Sequence, residues 1–259
     1  MQKLDNVLVD DKGEISLLNT HGYTSLQLSG QHAHGMVELD QKLCALLKKK
    51  FDFEFVTAGN TLTASNIAKT SFFENLPSKP FYIDPGDTVS ARRHLLNPSV
   101  CYHCFDYYSR KYQKSTQLLC SVAKCFRNEE SSRFDPYRLC EFTMREFVVI
   151  GEPKQVNGIG TNIFNCVTEF INNLVPVKSV NACDSFMGGN VEVLKKVQKA
   201  LALKQELVFQ TNLGPVSTAS VNWHKKTMAS KYIQREEIES CCIAIGLERL
   251  YLGTLRYAH

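Results

Sequence analysis

Phe126-Arg127-Asn128-Glu129, followed after a polar loop by Glu141-Phe142-Thr143-Met144-Arg145-Glu146-Phe147, is the stretch whose reading decides the fold. A second string, Ala244-Ile245-Gly246-Leu247-Glu248-Arg249-Leu250, lies further along the sequence. Each inserts Arg and Glu into a segment that otherwise reads as core. A guanidinium or carboxylate in apolar surroundings is costly unless it is paired or bound to something. Several of them in two such segments point to a site for a polyanionic ligand such as ATP.

Outward from these strings, Leu118 to Arg127 and Leu139 to Ile150 read as two strands. A long hairpin loop with Ser131, Ser132, Asp135 and Pro136 joins them. Alternation puts Phe142, Met144, Glu146 and Val148 on one face, so Glu146 points with core residues. Val37 to Phe51 reads as a helix, with Leu39, Leu43, Leu46, Leu47 and Phe51 at helical spacing. Thr161 to Leu174 reads as a second helix, and Val191 to Leu203 as a third, with Leu194, Val197 and Leu201 on one stripe. Leu207 to Gln210 and Ser217 to Trp223 read as strands, and Cys241 to Ile245 as a strand entering a helix near Gly246. Phe72 to Asp87, rich in Pro and aromatics, reads as extended or looped. Residues before about 35 show no clear period. The pattern predicts an α+β domain whose antiparallel sheet is flanked by helices.

At 259 residues the chain is expected to form a single domain over residues 1–259. A hydrophobic content of 44%, with 15 Phe, supports a substantial core. The net charge of +4, from 30 basic and 26 acidic residues, is too mild to argue for nucleic acid. No apolar run approaches the ~18 residues of a membrane span, and Met1-Gln2-Lys3-Leu4-Asp5 lacks the apolar stretch of a secretory leader. The ten cysteines are therefore expected as reduced thiols, metal ligands or packing groups in a cytoplasmic protein.

The usual phosphate loops are missing. No Gly-x-x-x-x-Gly-Lys-Ser/Thr occurs, and Gly158-Ile159-Gly160-Thr161 lacks the third glycine of a dinucleotide fingerprint. A nucleotide would be held by side chains, chiefly arginines forking onto phosphate oxygens. Spacing alone would also pair Cys101 with Cys104 as a Cys-x-x-Cys metal site.

Arg127-Asn128-Glu129, the polar loop and Glu141 to Phe147 resemble motif 2 of the class II aminoacyl-tRNA synthetases. Gly246-Leu247-Glu248-Arg249 after a strand resembles motif 3. More closely, the chain resembles the amino acid:[carrier protein] ligases, relatives of the zinc-dependent seryl-tRNA synthetases of methanogens that lack the tRNA-binding arm. Cys101-Tyr102-His103, Cys125-Phe126-Arg127, Asn181 to Gly188 and Cys242 to Arg249 carry the likeness, which spans roughly residues 36 to 257.

The resemblance implies a zinc site of Cys101, Glu146 and Cys242, whose open position takes the substrate amino group. It leaves Cys104, Cys120, Cys125, Cys140 and Cys241 as core. It implies Arg127 on the ATP α-phosphate and substrate carboxylate, Glu129 at the adenine, and Arg249 on the γ-phosphate. Arg138 and Arg133 in the motif 2 loop are further ATP contacts, and Glu239 is a candidate for Mg²⁺. Asp184 is a candidate for the substrate ammonium, or else a helix cap. Asn222 and His224 lie on a pocket-lining strand. Ser185 stands where relatives commonly have proline. Residues 185–205 correspond to a carrier-docking helix, with Lys195, Lys196, Lys199 and Lys204 facing an acidic, phosphopantetheinylated carrier protein.

The implied activity is ATP-dependent conversion of a small amino acid (glycine, alanine or serine) to its adenylate and transfer to the carrier thiol. A homodimer through the region from Leu39 to Phe73 and no use of tRNA are expected with it. An aminoacyl-tRNA synthetase is the enzymatic alternative, against which the missing helical arm counts. A catalytically silent regulatory or binding protein is the other, against which Arg127 and Arg249 count.

Overall fold

The two charged strings fall on adjacent strands at the centre of one large sheet in a computed structural model of the chain. It describes residues 2–4, 7–9, 11–76, 79–83, 94–111, 115–129, 135–184, 186, 191–235 and 237–258. Ser131, Ser132, Arg133, Ser185 and the 84–87 part of the expected Phe72–Asp87 loop lie outside the described residues.

The strands are β1 (Gln2–Leu4), β2 (Val7–Val9), β3 (Ile15–Thr20), β4 (Tyr23–Leu28), β5 (Glu54–Phe55), β6 (Thr61–Thr63), β7 (His94–Leu96), β8 (Gln117–Phe126), β9 (Glu141–Gly151), β10 (Lys178–Asn181), β11 (Lys204–Thr211), β12 (Gly214–Lys225) and β13 (Glu239–Gly246). The helices are α1 (Gly30–Lys48), α2 (Ala64–Ile67), α3 (Phe72–Asn75), α4 (Cys101–Lys111), α5 (Pro153–Asn172), α6 (Val191–Ala200), α7 (Lys226–Ile233) and α8 (Leu247–Tyr257). The main sheet runs β1-β2-β3-β4-β9-β13-β12-β11-β10, with β8 also on β9 and β5 on β8. Its ladders are antiparallel, apart from β5 on β8 and the single pairing of Ser25 in β4 with Glu141 in β9. β6 and β7 form a small separate pair.

Period-two alternation along β9 divides the interior into two layers. Phe147 and Val149 face α1, α5 and α8 in the larger core, with Leu43, Ile163, Val167 and Leu250. Val148 and Ile150 face the opposite way, toward α4 and α7, in a second core with Phe105, Tyr108, Ala229 and Tyr232. Among the described residues no helix is long and apolar enough to cross a membrane.

The expected antiparallel sheet with flanking helices is what forms, but several boundaries move. The segment before residue 35 contains the β1–β4 strands and the start of α1. Its clearest turn is His21–Gly22, with φ of 52° and 84°, a two-residue hairpin in the left-handed region that strand twist favours. α1 begins at Gly30, because polar, half-exposed residues continue the helix beyond its apolar stripe. Residues 72–75 form a helical turn at the start of the segment expected to be extended or looped.

α5 starts at Pro153, ahead of the expected Thr161. Glu152 caps it by accepting from the Lys154 and Gln155 amides at 3.0 and 2.9 Å, and Pro153 occupies the first turn, where its missing N–H costs nothing. Gly160 lets α5 press onto the sheet: a Cβ there would sit 2.5 Å from Cys241 Sγ. α6 ends at Ala200, and Ala202 at φ 47° closes it with Leu203 N–H donating to Gln198 O at 2.9 Å.

Phe147 is fully buried at the centre of the larger core, its ring 5.5 Å from that of Phe53. Phe147→Ala is expected to lower unfolding free energy by about 3–5 kcal/mol, read by urea denaturation.

Candidate active site

Strand register assembles the site. Cross-strand partners lie on the same face of a sheet. One row runs Glu206, Ser220, Ala244, Glu146, Ser121 across β11, β12, β13, β9 and β8. The next runs Lys204, Asn222, Cys242, Val148, Leu119. α4 covers this face and brings Cys101 at its first residue.

The expected trio of Cys101, Glu146 and Cys242 meets there. Their ligand atoms all lie within 4.8 Å of one another, and all three residues are buried. Glu146 Oε1 accepts from Ser99 Oγ at 2.8 Å and from the Val100 amide at 3.1 Å. Among the described residues, no hydrogen-bond donor meets the buried Glu146 Oε2. Burial pushes the Glu146 carboxyl above its usual range, against the pull of Ser99 and Arg127. The adjacent Cys101 thiol, then burial, push Cys242 upward. Two thiols beside an unmet carboxylate oxygen make a donor set suited to a divalent cation such as zinc. Cys104, one turn along α4, stays in the apolar core, where burial holds its thiol well up. Cys241 faces α5 on the other side of the sheet.

Residues 98 to 101 join the Cys101–Glu146–Cys242 trio to the arginines. Arg127 Nε donates to Pro98 O at 2.9 Å, and its guanidinium lies 5.2 Å from the Phe142 ring centre. Arg249, in the first turn of α8, donates through Nε to Tyr137 O at 2.7 Å and through Nη1 to Ser217 O at 3.2 Å. It therefore fastens the loop between β8 and β9 to the start of α8. Burial, then the nearby Arg127 charge, lower Arg249 from the ordinary arginine value. Among the described residues, neither guanidinium has a carboxylate within ion-pair distance, an arrangement that suits a bound anion.

Glu248 braces the same corner. Its buried carboxylate accepts from the Thr143 amide at 2.8 and 2.7 Å and from Thr143 Oγ1 at 2.8 Å. An acid in the first turn also complements the α8 dipole.

Other expected residues are placed as follows. Glu129 pairs with Lys79 at 2.8 Å. Arg138 is largely exposed and lies 3.7 Å from Asp135. Glu239 sits opposite Gly151 at the far end of β13 from Gly246, roughly 23 Å along the strand at ~3.3 Å per residue, so it is not brought to Arg249. Asn222 Nδ2 lies 3.7 Å from Cys242 Sγ.

Asp184 accepts from Lys204 Nζ at 2.7 Å and Gln198 Nε2 at 2.9 Å. Lys204 leaves the expected docking-helix face altogether. It begins β11, where burial drives its ammonium into pairs with Asp184 and, at 3.1 Å, Glu206. Glu206, Ser99 and Pro98 escaped the sequence reading. Only the turn signature Asn97-Pro98-Ser99 ahead of Cys101 hints at the last two.

The fold is that of the class II aminoacyl-tRNA synthetase catalytic domain. SerRS of M. kandleri, solved with a tRNASec of A. aeolicus, superposes with a TM-score of 0.77 at 15% identity over 92% of this chain and 54% of that one. The cytoplasmic serine–tRNA ligase of Naegleria fowleri, bound to AMP, gives 0.73 at 14% identity over 90% and 50%. The prolyl-tRNA synthetase of Cryptosporidium parvum gives 0.70 at 12% identity over 90% and 48%.

In sequence, the chain is similar to two curated proteins of Bradyrhizobium diazoefficiens, amino acid--[acyl-carrier-protein] ligases 2 and 1. Identity is 26% over 173 residues and 25% over 177, covering 63% and 65% of this chain. The matched regions span about half of those relatives, 51% and 52% of their lengths. No family profile matches the chain.

Burial alone would raise the Asp184 carboxyl, but the Lys204 ammonium holds it below its ordinary value. A depressed carboxyl stabilises fully above its unfolded pKa, and the effect is lost as pH falls through the folded value. The excess thermal stability of wild type over Asp184→Asn is therefore expected to hold from neutral pH to about pH 4 and to close below it.

Proposed function

We propose that this chain activates a small amino acid with ATP and transfers it to the phosphopantetheine thiol of a carrier protein. The buried Cys101–Glu146–Cys242 group on the same sheet face as the Arg127 corner is the observation that carries this reading. The similarity to amino acid--[acyl-carrier-protein] ligases supports it.

Cys101, Glu146 and Cys242 would hold a zinc ion, which would supply a Lewis-acidic site for the substrate amine. Arg127 orients the amino acid carboxylate and the α-phosphate, and Arg249 holds the distal phosphates. The carboxylate oxygen attacks the α-phosphorus, the bond to the bridging oxygen breaks, and pyrophosphate leaves. Catalysis is then chiefly positioning and stabilisation of developing charge. Glu206, in the same cross-strand row as Glu146, would offer Mg²⁺ a carboxylate nearer this site than Glu239. The carrier thiol next attacks the adenylate carbonyl, expelling AMP.

α6 supports a carrier-docking role. It buries no side chain, and Val193, Val197 and the following Leu201 are exposed beside Lys195, Lys196 and Lys199. An acidic carrier would meet a cationic rim around an apolar stripe. A homodimer through the Leu39–Phe73 region, and no need of tRNA, belong to the same reading.

The test is amino-acid-dependent ATP–pyrophosphate exchange by zinc-loaded protein across all the amino acids. Exchange with one or two small amino acids is expected, with a loss of about 10²- to 10³-fold in Arg249→Ala. Metal analysis should find one zinc per chain, lost in Cys242→Ser. Exchange with no amino acid from folded, zinc-loaded protein would overturn the adenylating role. Exchange followed by charging of tRNA and not of a phosphopantetheinylated carrier would make the chain a synthetase instead.

A further inference from the structure

His224 is tied to the proposed metal centre without belonging to its ligand set. Alternation puts it on the same face of β12 as Asn222, which pairs with Cys242. The ladder then shifts register between Trp223 and Lys225, so that Lys225 takes the place opposite Ser240 and His224 is left out of the pairing. Such irregularities recur beside active sites, where they aim a side chain.

Lys225 carries the strain of this step at φ 52° and ψ −134°. Its ammonium is held 3.3 Å from Asn157 Oδ1 and 3.7 Å from Glu239. A non-glycine residue in the left-handed region persists only where its surroundings over-determine it.

The imidazole freed by this shift has both nitrogens engaged. Nδ1 lies 3.3 Å from Ser240 Oγ, and Nε2 lies 3.5 Å from Cys242 Sγ. The Phe105 ring, fully buried on α4, packs edge-on at 5.8 Å and fixes the ring plane.

We infer that His224 is a positioning residue that donates its Nε2–H to the Cys242 sulfur and holds it as a metal-ligating thiolate, with Ser240 setting the tautomer. This rests on the metal-centre reading above. A thiolate bound to a cation has no proton to give, so the contact requires the donor on Nε2. Nδ1 is then an acceptor, and the Ser240 hydroxyl donates to it. Outer partners of this kind orient a ligand and tune its electron donation. The donated hydrogen bond offsets part of the sulfur charge in a site that otherwise places two thiolates and a carboxylate together. Asn222 Nδ2, at 3.7 Å from the same sulfur, is a longer second donor.

The test is Co²⁺ loading of the full chain, read by the sulfur-to-cobalt charge-transfer band, together with Zn²⁺ affinity from chelator competition. His224→Ala is expected to weaken zinc binding by roughly 10- to 100-fold. Its band should move to longer wavelength, because the sulfur lone pairs lose a stabilising donor. His224→Gln, which keeps an N–H near the Nε2 position, should recover most of both. Ser240→Ala leaves the imidazole in place and should shift both readouts in the same direction by a smaller amount. It carries the test if His224→Ala does not fold.

Wild-type affinity and band position in His224→Ala, or in Ser240→Ala should the former not fold, would overturn the inference and leave the metal centre standing. A wild-type protein with no such band, or one whose band keeps its full intensity and position in Cys242→Ser, would overturn the metal centre and this role together.

Discussion

Two consecutive charges buried in one central strand set the terms for everything around them. A strand turns successive side chains to opposite faces, so Arg145 and Glu146 cannot neutralise each other. Each must be met by a different layer. Arg145 enters the larger core, where Asp40 of α1 answers it at 2.9 Å through Nε and 2.5 Å through Nη2. Glu146 enters the other layer, where Ser99 and the Val100 amide satisfy one oxygen and, among the described residues, leave the second without a hydrogen-bond donor. One charge is closed by an ion pair that anchors α1 to the sheet. The other stays open toward two thiols, and the candidate metal centre follows from that difference.

The corner at the end of β8, β9 and β13 is held by backbone groups as much as by side chains. Arg249 grips the Tyr137 and Ser217 carbonyls, Arg127 grips that of Pro98, and Glu248 takes the Thr143 amide. Among the described residues the arginines are thus positioned without an ion pair, since a carbonyl orients a guanidinium while leaving its charge for an incoming anion. Pairing with carboxylates would fix them equally well and cancel the charge a polyphosphate needs.

Asp184 and Lys204 illustrate a second kind of closure. Lys204 is half of a buried pair on the site's own face, and Glu206 beside it makes the ammonium shared between two carboxylates. A lysine taken out of water is held by such partners. Of the other lysines of that region, Lys196 and Lys199 stand exposed on α6, which has no buried residue, and Lys195 lies 3.5 Å from Glu192 of the same helix.

Much of this was legible in the chain. The period-two pattern of residues 118–127 and 139–150, the helical stripes of α1 and α5, and the Gly246 junction into α8 announced an antiparallel sheet under helices. The resemblance to the ligase family marks Arg127, Arg249 and the trio Cys101, Glu146 and Cys242, where spacing alone would pair Cys101 with Cys104. α4 and α7 were not legible, because Cys101–Lys111 is crowded with aromatics and Lys226–Ile233 is too short for a period to show. β3 and β4 are not legible because they are short and half-exposed, without a one-sided apolar pattern.

Local order and the identity of the charged groups were set by sequence, since both depend on residues close together in the chain. Which charges meet was decided by tertiary structure alone. Glu206 joins the row of Glu146 through three strand pairings, Lys204 leaves a helix face for a buried pair, and His224 reaches Cys242 through a shift in register. Such meetings depend on strand register, and register is a property of the assembled sheet, where a slip of one residue exchanges its faces.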